Sequence, residues 1–345
     1  MVKSLNTMKT DKNKTLIIAE AGVNHNGSIS LAKKLIIAAK KSGADIVKFQ
    51  SFIAENLVTK SASKADYQKK TTKRAESQYA MLKKLQLNES DHHILKKFSE
   101  EKKIEFLSSP FDVEGVRFLQ KLKLKRIKIP SGEITNFPLL EYIGKLKKEV
   151  ILSTGMSDLK EISDALNILS ENGLSRKKIK LLHCNTEYPT PLDDINLKAI
   201  ITMKKKFKIE VGYSDHSSST LAPSFAVLLG ASIIEKHLTL DKNMIGPDHA
   251  ASLDPKEFKE MVENIRIAEA SLGSGIKAPS KSELKNIPIA RKSIVAKKDI
   301  KSGDLFTEKN IIPKRPGHGL NPMNWNQVIG KKAKKDFKKD EFIKI

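Results

Sequence analysis

Between residues 15 and 240, short β-branched, apolar runs alternate with stretches of helical spacing, and each run ends in a polar cluster. The runs are Leu16–Ala19, Ile46–Phe49, Glu105–Ser108, Arg126–Ile129, Val150–Ser153, Lys180–Leu182, Glu210–Gly212 and Ser232–Glu235. Between them Leu31, Leu35, Ala38 and Ala39, and later Ile94, Leu95 and Phe98, recur at helical intervals. Gly43 and Gly230 stand just before strands, where a helix commonly ends on glycine. Strict strand–helix alternation predicts parallel strands joined by right-handed crossovers. Eight such units, without a glycine-rich first turn of the dinucleotide-binding kind, predict an α/β fold closed into a (β/α)8 TIM barrel. In such a barrel the C-terminal ends of the strands converge on one mouth, so the polar clusters locate the chemistry.

Two departures break the rhythm. Residues 51–80 are too long for an ordinary connection, and long loops at a barrel mouth shape substrate sites. After a last helix, Pro255 to Leu272, the barrel domain ends, giving a catalytic domain over 1–272. Residues 273–288 are rich in Gly, Ser, Pro and Lys and read as a linker. Residues 289–345 change to short strands and turns, a small all-β module whose thin core predicts packing on the barrel or on a second subunit.

Composition narrows the class. No apolar run reaches 18 residues, so no membrane-spanning helix is expected, and residues 1–14 lack the apolar centre of a secretory signal. The single cysteine, Cys184, excludes an intramolecular disulfide and suits a reducing cytosol, so a cytoplasmic location is expected. Cys184 itself reads as a packing residue with no base paired to it. The net charge of +23 comes from lysines scattered over nearly every helix face, with 6% aromatic residues and no basic–aromatic alternation. That is a solvated surface rather than a nucleic-acid platform, and its field favours anionic substrates. A basic nucleic-acid-binding module, betrayed by salt-sensitive binding, is the non-enzymatic alternative.

The strand-end residues supply a specific set of groups. His216 and His237 close consecutive strands, and two imidazoles converging beside carboxylates predict a divalent-metal site with open positions for water and substrate oxygens. The competing reading gives one histidine a core hydrogen bond and the other a proton-transfer role. Mixed nitrogen and oxygen ligation suits manganese, iron, zinc or magnesium. Asp215 and Glu235 flank the histidines as ligands or as orienting groups. Lys48 and Lys128 sit near strand ends and, if buried, each needs an anion; a small substrate carrying phosphate and carboxylate would satisfy both. A Schiff-base lysine, as in a class I aldolase, competes with that reading. Ser109, Ser131 and Ser214 offer hydroxyls to such a substrate. Glu20 and Glu133 add carboxylates for proton transfer or ion pairing, and Gln50, Thr186, Tyr188 and Asp248 add hydrogen-bonding groups at the same rim.

Taken in order, these stretches resemble the N-acetylneuraminate (sialic acid) synthase family. The matching motifs are Ile17-Ile18-Ala19-Glu20 with Asn24-His25-Asn26-Gly27, Val47-Lys48-Phe49-Gln50, Lys128-Ile129-Pro130-Ser131-Gly132-Glu133, Leu152-Ser153-Thr154-Gly155-Met156, His183 to Tyr188, Ser214-Asp215-His216, Glu235-Lys236-His237 and Gly246-Pro247-Asp248. Arg291-Lys292-Ser293 through Lys314-Arg315-Pro316-Gly317 is similar to the family's antifreeze-like (SAF) domain. The resemblance implies condensation of phosphoenolpyruvate with an open-chain N-acetylated hexosamine, N-acetylmannosamine first, releasing phosphate by C–O cleavage. Legionaminic or pseudaminic acid synthesis from a diacetamido sugar is the close alternative. It implies metal ligation by His216 and His237, with manganese the expected cation and magnesium or cobalt as alternatives. It implies phosphoenolpyruvate binding by Lys48, Ser109, Lys128, Ser131 and Ser214, and sugar contacts by Gln50, Glu133, Tyr188, Asp248 and Arg315, with Glu20 at the rim. In the family the arginine matched by Arg315 reaches the partner's active site, so the resemblance also implies a domain-swapped homodimer.

Overall fold

The computed structural model describes residues 14–72 and 76–345. The polar stretch 1–14 lies outside the described residues except for Lys14. The chain divides into two compact units, the first ending at Gly273 and the second running from Ser274 to Ile345.

The first unit is built on eight parallel strands. They are β1 (Leu16–Gly22), β2 (Ile46–Ser51), β3 (Glu105–Pro110), β4 (Arg126–Ile129), β5 (Glu149–Ser153), β6 (Ile179–Cys184), β7 (Glu210–Asp215) and β8 (Ile233–His237). Their order is β3-β2-β1-β8-β7-β6-β5-β4. The first strand bonds to both the second and the last, and β3 and β4, the two ends of that order, lie side by side, so the sheet is curled into the TIM barrel that the alternation predicts. Six strands run further toward the mouth than the apolar pattern indicates, because their last residues are polar: Gln50-Ser51, Ser109-Pro110 and Lys236-His237 are strand, not loop.

Side chains on a strand alternate between its two faces, and here the alternation builds both the core and the site. Ile17, Ala19 and Ala21 of β1 face the surrounding helices, as do Val47 and Phe49 of β2. The intervening residues Ile18, Ile46, Leu107, Ile151, Leu182 and Ile233 meet inside the barrel as a closed apolar plug. Two residues further along these strands, on the same face, stand Glu20, Lys48, Ser109, Ser153, Cys184 and Glu235. The apolar layer thus forms a floor on which the polar layer sits.

The helices follow from capped, amphipathic sequence. Ser28 accepts a hydrogen bond from the Leu31 amide, opening Ile29–Lys41, which buries Ala32, Leu35, Ile36, Ala38 and Ala39. Gly43 and Gly230 take φ values of +89° and +93°, the left-handed geometry their position before a strand requires. In Glu89–Glu101 the inner face is His92, Leu95 and Ser99, while Ile94 is 44% exposed. Residues 51–80 hold more structure than a loop reading allows. They carry helices Ala54–Leu57 and Asp66–Thr71 and the start of Gln78–Leu85. A separate cluster of Val23, Phe52, Met81 and Leu85 packs this segment.

The second unit has its own core of Ile294, Ile300, Phe306, Ile311, Val328, Phe337 and Ile343. Strands β9 (Ser293–Ala296) and β10 (Ile311–Lys314) pair antiparallel in it. It is not wholly β: short helices occupy Lys281–Leu284, Ile287–Ala290 and Trp325–Val328. The first two fall largely in the stretch read as linker, and the Gly317 amide donates to the Pro288 carbonyl at 2.7 Å. Ser293 joins the two motifs of this unit. Its hydroxyl donates to the Pro316 carbonyl at 2.7 Å and accepts from the Gly319 amide at 2.8 Å, which pins the turn carrying Arg315.

Candidate active site

A cavity of about 210 Å³ opens above the apolar floor. Glu20, Lys48, Gln50, Ser109, Lys128, Ser131, Thr186, Tyr188, Ser214, His216 and His237 all line it, contributed by seven of the eight strands or the turns after them. Asp248 stands beside it, with Oδ2 3.9 Å from His237 Nδ1. Glu133 does not line it: on the turn Ser131–Glu133 it accepts a hydrogen bond from Asn136 Nδ2 at 2.6 Å. Arg315 belongs to the second unit, next to a cis peptide bond to Pro316.

The deepest feature is a chain of four buried charges. Lys48 Nζ lies 2.9 Å from Glu20 Oε2 and 3.6 Å from Glu235 Oε2, and Lys128 Nζ lies 3.5 Å from Glu235 Oε1. Lys48 also donates to Ser109 Oγ at 3.2 Å, and Lys128 to Ser153 Oγ at 2.8 Å. All four charged side chains are at most 5% exposed, so each ammonium has the anionic partner that burial demands. Burial pushes Glu20 up against the opposing pull of Lys48. For Glu235 burial acts upward too, but Lys128 and then Lys48 overcome it and hold the group as a carboxylate. Burial pushes Lys128 down, whereas Lys48, with a carboxylate on each side, stays up despite burial.

Glu235 and Ser153 carry more of this network than sequence reasoning assigned to them. The signal for Glu235 was present: it lies two residues before His237 on one strand and therefore shares its face. Asp215, expected to flank the histidines, is on the other side of the barrel wall. Its register partner is Lys236, whose Nζ is 2.6 Å from Asp215 Oδ2. Tyr213 donates to the same carboxylate at 2.9 Å. Adjacent strand residues face opposite ways, so Asp215 cannot accompany His216 into the cavity.

His216 and His237 do meet, with ring centroids 5.3 Å apart and planes at 73°. The Asn185 carbonyl accepts from His216 Nδ1, which leaves Nε2 toward the Tyr188 hydroxyl at 3.1 Å. Burial and then His216 push His237 far down, so it is a neutral imidazole, and its Nδ1 is buried without a hydrogen bond. Among the described residues no three His, Cys, Asp or Glu side chains form a ready-made metal cage. The donors present are two imidazoles, and they fit a divalent cation whose remaining positions are filled by water or substrate oxygens. Cys184 is not isolated as expected: its Sγ lies 3.7 Å from His216 Nδ1. Burial raises that thiol, and His216 outweighs burial and lowers it.

Residues 35–277 match the NeuB family and residues 291–345 the SAF domain. The N,N'-diacetyllegionaminic acid synthase of Campylobacter jejuni is 55% identical over 331 residues, covering 96% of this chain and 99% of that protein. The synthase of the same name from Legionella pneumophila is 47% identical, covering 91% and 89%. The crystal structure of N-acetylneuraminic acid (sialic acid) synthetase from Leptospira borgpetersenii, in complex with citrate, superposes with a TM-score of 0.71 at 35% identity. It covers 79% of this chain and 90% of that one.

Proposed function

This chain belongs to the NeuB family, and we propose that it condenses phosphoenolpyruvate with the open-chain form of a diacetamido-dideoxyhexose to give a legionaminic-acid-type nonulosonate and phosphate. The two legionaminic acid synthases described above favour a sugar with two acetamido groups over the N-acetylmannosamine first expected. One observation carries the phosphoenolpyruvate half: two buried ammonium groups, Lys48 and Lys128, face one cavity with Ser109, Ser131 and Ser214.

In the proposed reaction the π electrons of phosphoenolpyruvate bond C3 to the aldehyde carbon, and positive charge develops at C2. Water adds there; one of its protons passes to the aldehyde oxygen, which becomes a hydroxyl, and the other leaves with the phosphate as the C2–O bond breaks and the ketone forms. The two lysines balance the phosphate and carboxylate charges and hold the enol in place, a positioning and electrostatic contribution. Glu235, kept ionised between them, is the base for the added water. Tyr188, Gln50 and Asp248 bind the sugar. His216 and His237 hold a divalent cation, manganese in this reading, which supplies electrophilic polarisation when bound. Arg315 completes the sugar site of a partner subunit, in a homodimer.

A covalent route through Lys128 has one observation behind it, the downward push of burial on its pKa. Phosphate release from phosphoenolpyruvate across a panel of mono- and diacetamido sugars, with and without manganese, tests the proposal. Release confined to a diacetamido sugar and absent after chelation is expected. Borohydride trapping of substrate on the protein, with activity surviving chelation, would overturn it.

A further inference from the structure

The segment 51–80 reaches the site through one short helix. On Asp66–Thr71, Tyr67 stacks on Tyr188 with centroids 5.0 Å apart and planes at 29°. Tyr188 in turn stacks on His216 at 4.1 Å and 25°. Two near-parallel rings at those spacings cannot share one face of a phenol, so Tyr188 is the middle of a three-ring column. Four residues along the same helix, the Thr71 hydroxyl shares its proton between the Tyr67 carbonyl at 3.1 Å and the Pro247 carbonyl at 3.3 Å, next to Asp248. The helix therefore touches both turns that carry the proposed sugar contacts, one after β6 and one after β8. Burial, and then the nearby Asp248 carboxylate, push the Tyr67 phenol up. It is a neutral ring, suited to stacking.

We propose that Tyr67 is a positioning residue for the sugar half of the site, clamping Tyr188 against His216 while Thr71 ties the same helix to the Pro247–Asp248 turn. The assignment to sugar rests on the proposed function; the clamp does not. An offset aromatic pair is worth about 0.5–1.5 kcal/mol beyond its buried area, which corresponds to roughly a two- to tenfold change in affinity.

Tyr67→Ala is expected to raise KM for the diacetamido sugar by about that factor, to leave KM for phosphoenolpyruvate within about twofold, and to be rescued by Tyr67→Phe, which keeps the ring. Hydrogen–deuterium exchange of residues 185–190 in the substrate-free protein is expected to quicken in Tyr67→Ala and not in Tyr67→Phe. Unchanged exchange, or equal changes in both KM values, would overturn the clamp. A wild-type protein that turns over no sugar in the panel sinks the proposed function, and the exchange comparison still decides the role of Tyr67.

Discussion

Replacing Glu235 with glutamine keeps the shape of the side chain and removes one charge from the centre of the buried chain. Two ion pairs disappear together, those at 3.6 Å to Lys48 and 3.5 Å to Lys128. Lys48 retains Glu20 at 2.9 Å, but Lys128 is left with neutral acceptors alone, Ser153 and the new amide oxygen. Removing one partner of a buried pair costs about 3–5 kcal/mol. Lys128 limits the loss, because burial already draws its pKa down and it can release its proton once Glu235 is neutral. The expected outcome is a fall in melting temperature of about 5–10 °C for the ligand-free protein. The same substitution frees Lys128 for an incoming anion, which would keep it protonated, and leaves Lys48 with one carboxylate instead of two. Glu235→Gln should therefore bind phosphoenolpyruvate more tightly than the wild type, while turnover falls by about 10²–10⁴-fold through loss of the base. Differential scanning calorimetry with and without phosphoenolpyruvate, and titration calorimetry for its Kd, measure both effects. An unchanged melting temperature together with weaker phosphoenolpyruvate binding would refute the reasoning.

Lys236→Met strands the fully buried Asp215 carboxylate on the outer face of the barrel, so urea denaturation should show a loss of about 3–5 kcal/mol, with KM for phosphoenolpyruvate unchanged. Asp248 is pushed up to about 7, by burial first and then by Glu20. An acid whose folded pKa is raised favours the fold below its ordinary pKa and loses that contribution as pH rises through the folded value. Asp248→Asn should therefore flatten the decline in stability between about pH 4 and 7, read from melting temperature against pH; an unaltered profile counts against the shift. His237→Ala should weaken manganese binding at least about tenfold in equilibrium dialysis, and undiminished binding would remove His237 from the ligand set. Mixing inactive Arg315→Ala and Lys128→Ala proteins should restore part of the activity if Arg315 serves the partner's site, whereas no recovery under exchange conditions speaks against it.

The barrel was legible because its strands are apolar and regularly spaced, and the chemistry because it is gathered at strand ends. Strand ends were read short where polar inward residues such as Gln50 and Ser109 resemble loop sequence, although they follow the same alternation as Ile46 and Leu107. That alternation, carried one step further, would have separated Glu235 from Lys236 and sent Asp215 to the outside. Ser153 escaped notice because a lone serine carries little signal until its strand is placed beside Lys128. Tyr67 and Thr71 were beyond reach: a helix as short as Asp66–Thr71 has no period to detect, and its contacts with Tyr188 and Pro247 span more than a hundred residues of chain. The proximity of Cys184 to His216 depends on the bend after β7, which residue spacing alone does not encode.

Along β8 three neighbouring residues, Glu235, Lys236 and His237, look alternately into the cavity and away from it. Losing or gaining one residue within this strand would bring a cation where the reaction needs an anion and expel an imidazole into the helical shell. Insertions are thus forbidden in the staves and permitted in the connections above them. Divergence within such a scaffold should accordingly keep the bond-forming step constant while new sugars are accommodated by remodelled connections, most readily the one that carries Tyr67.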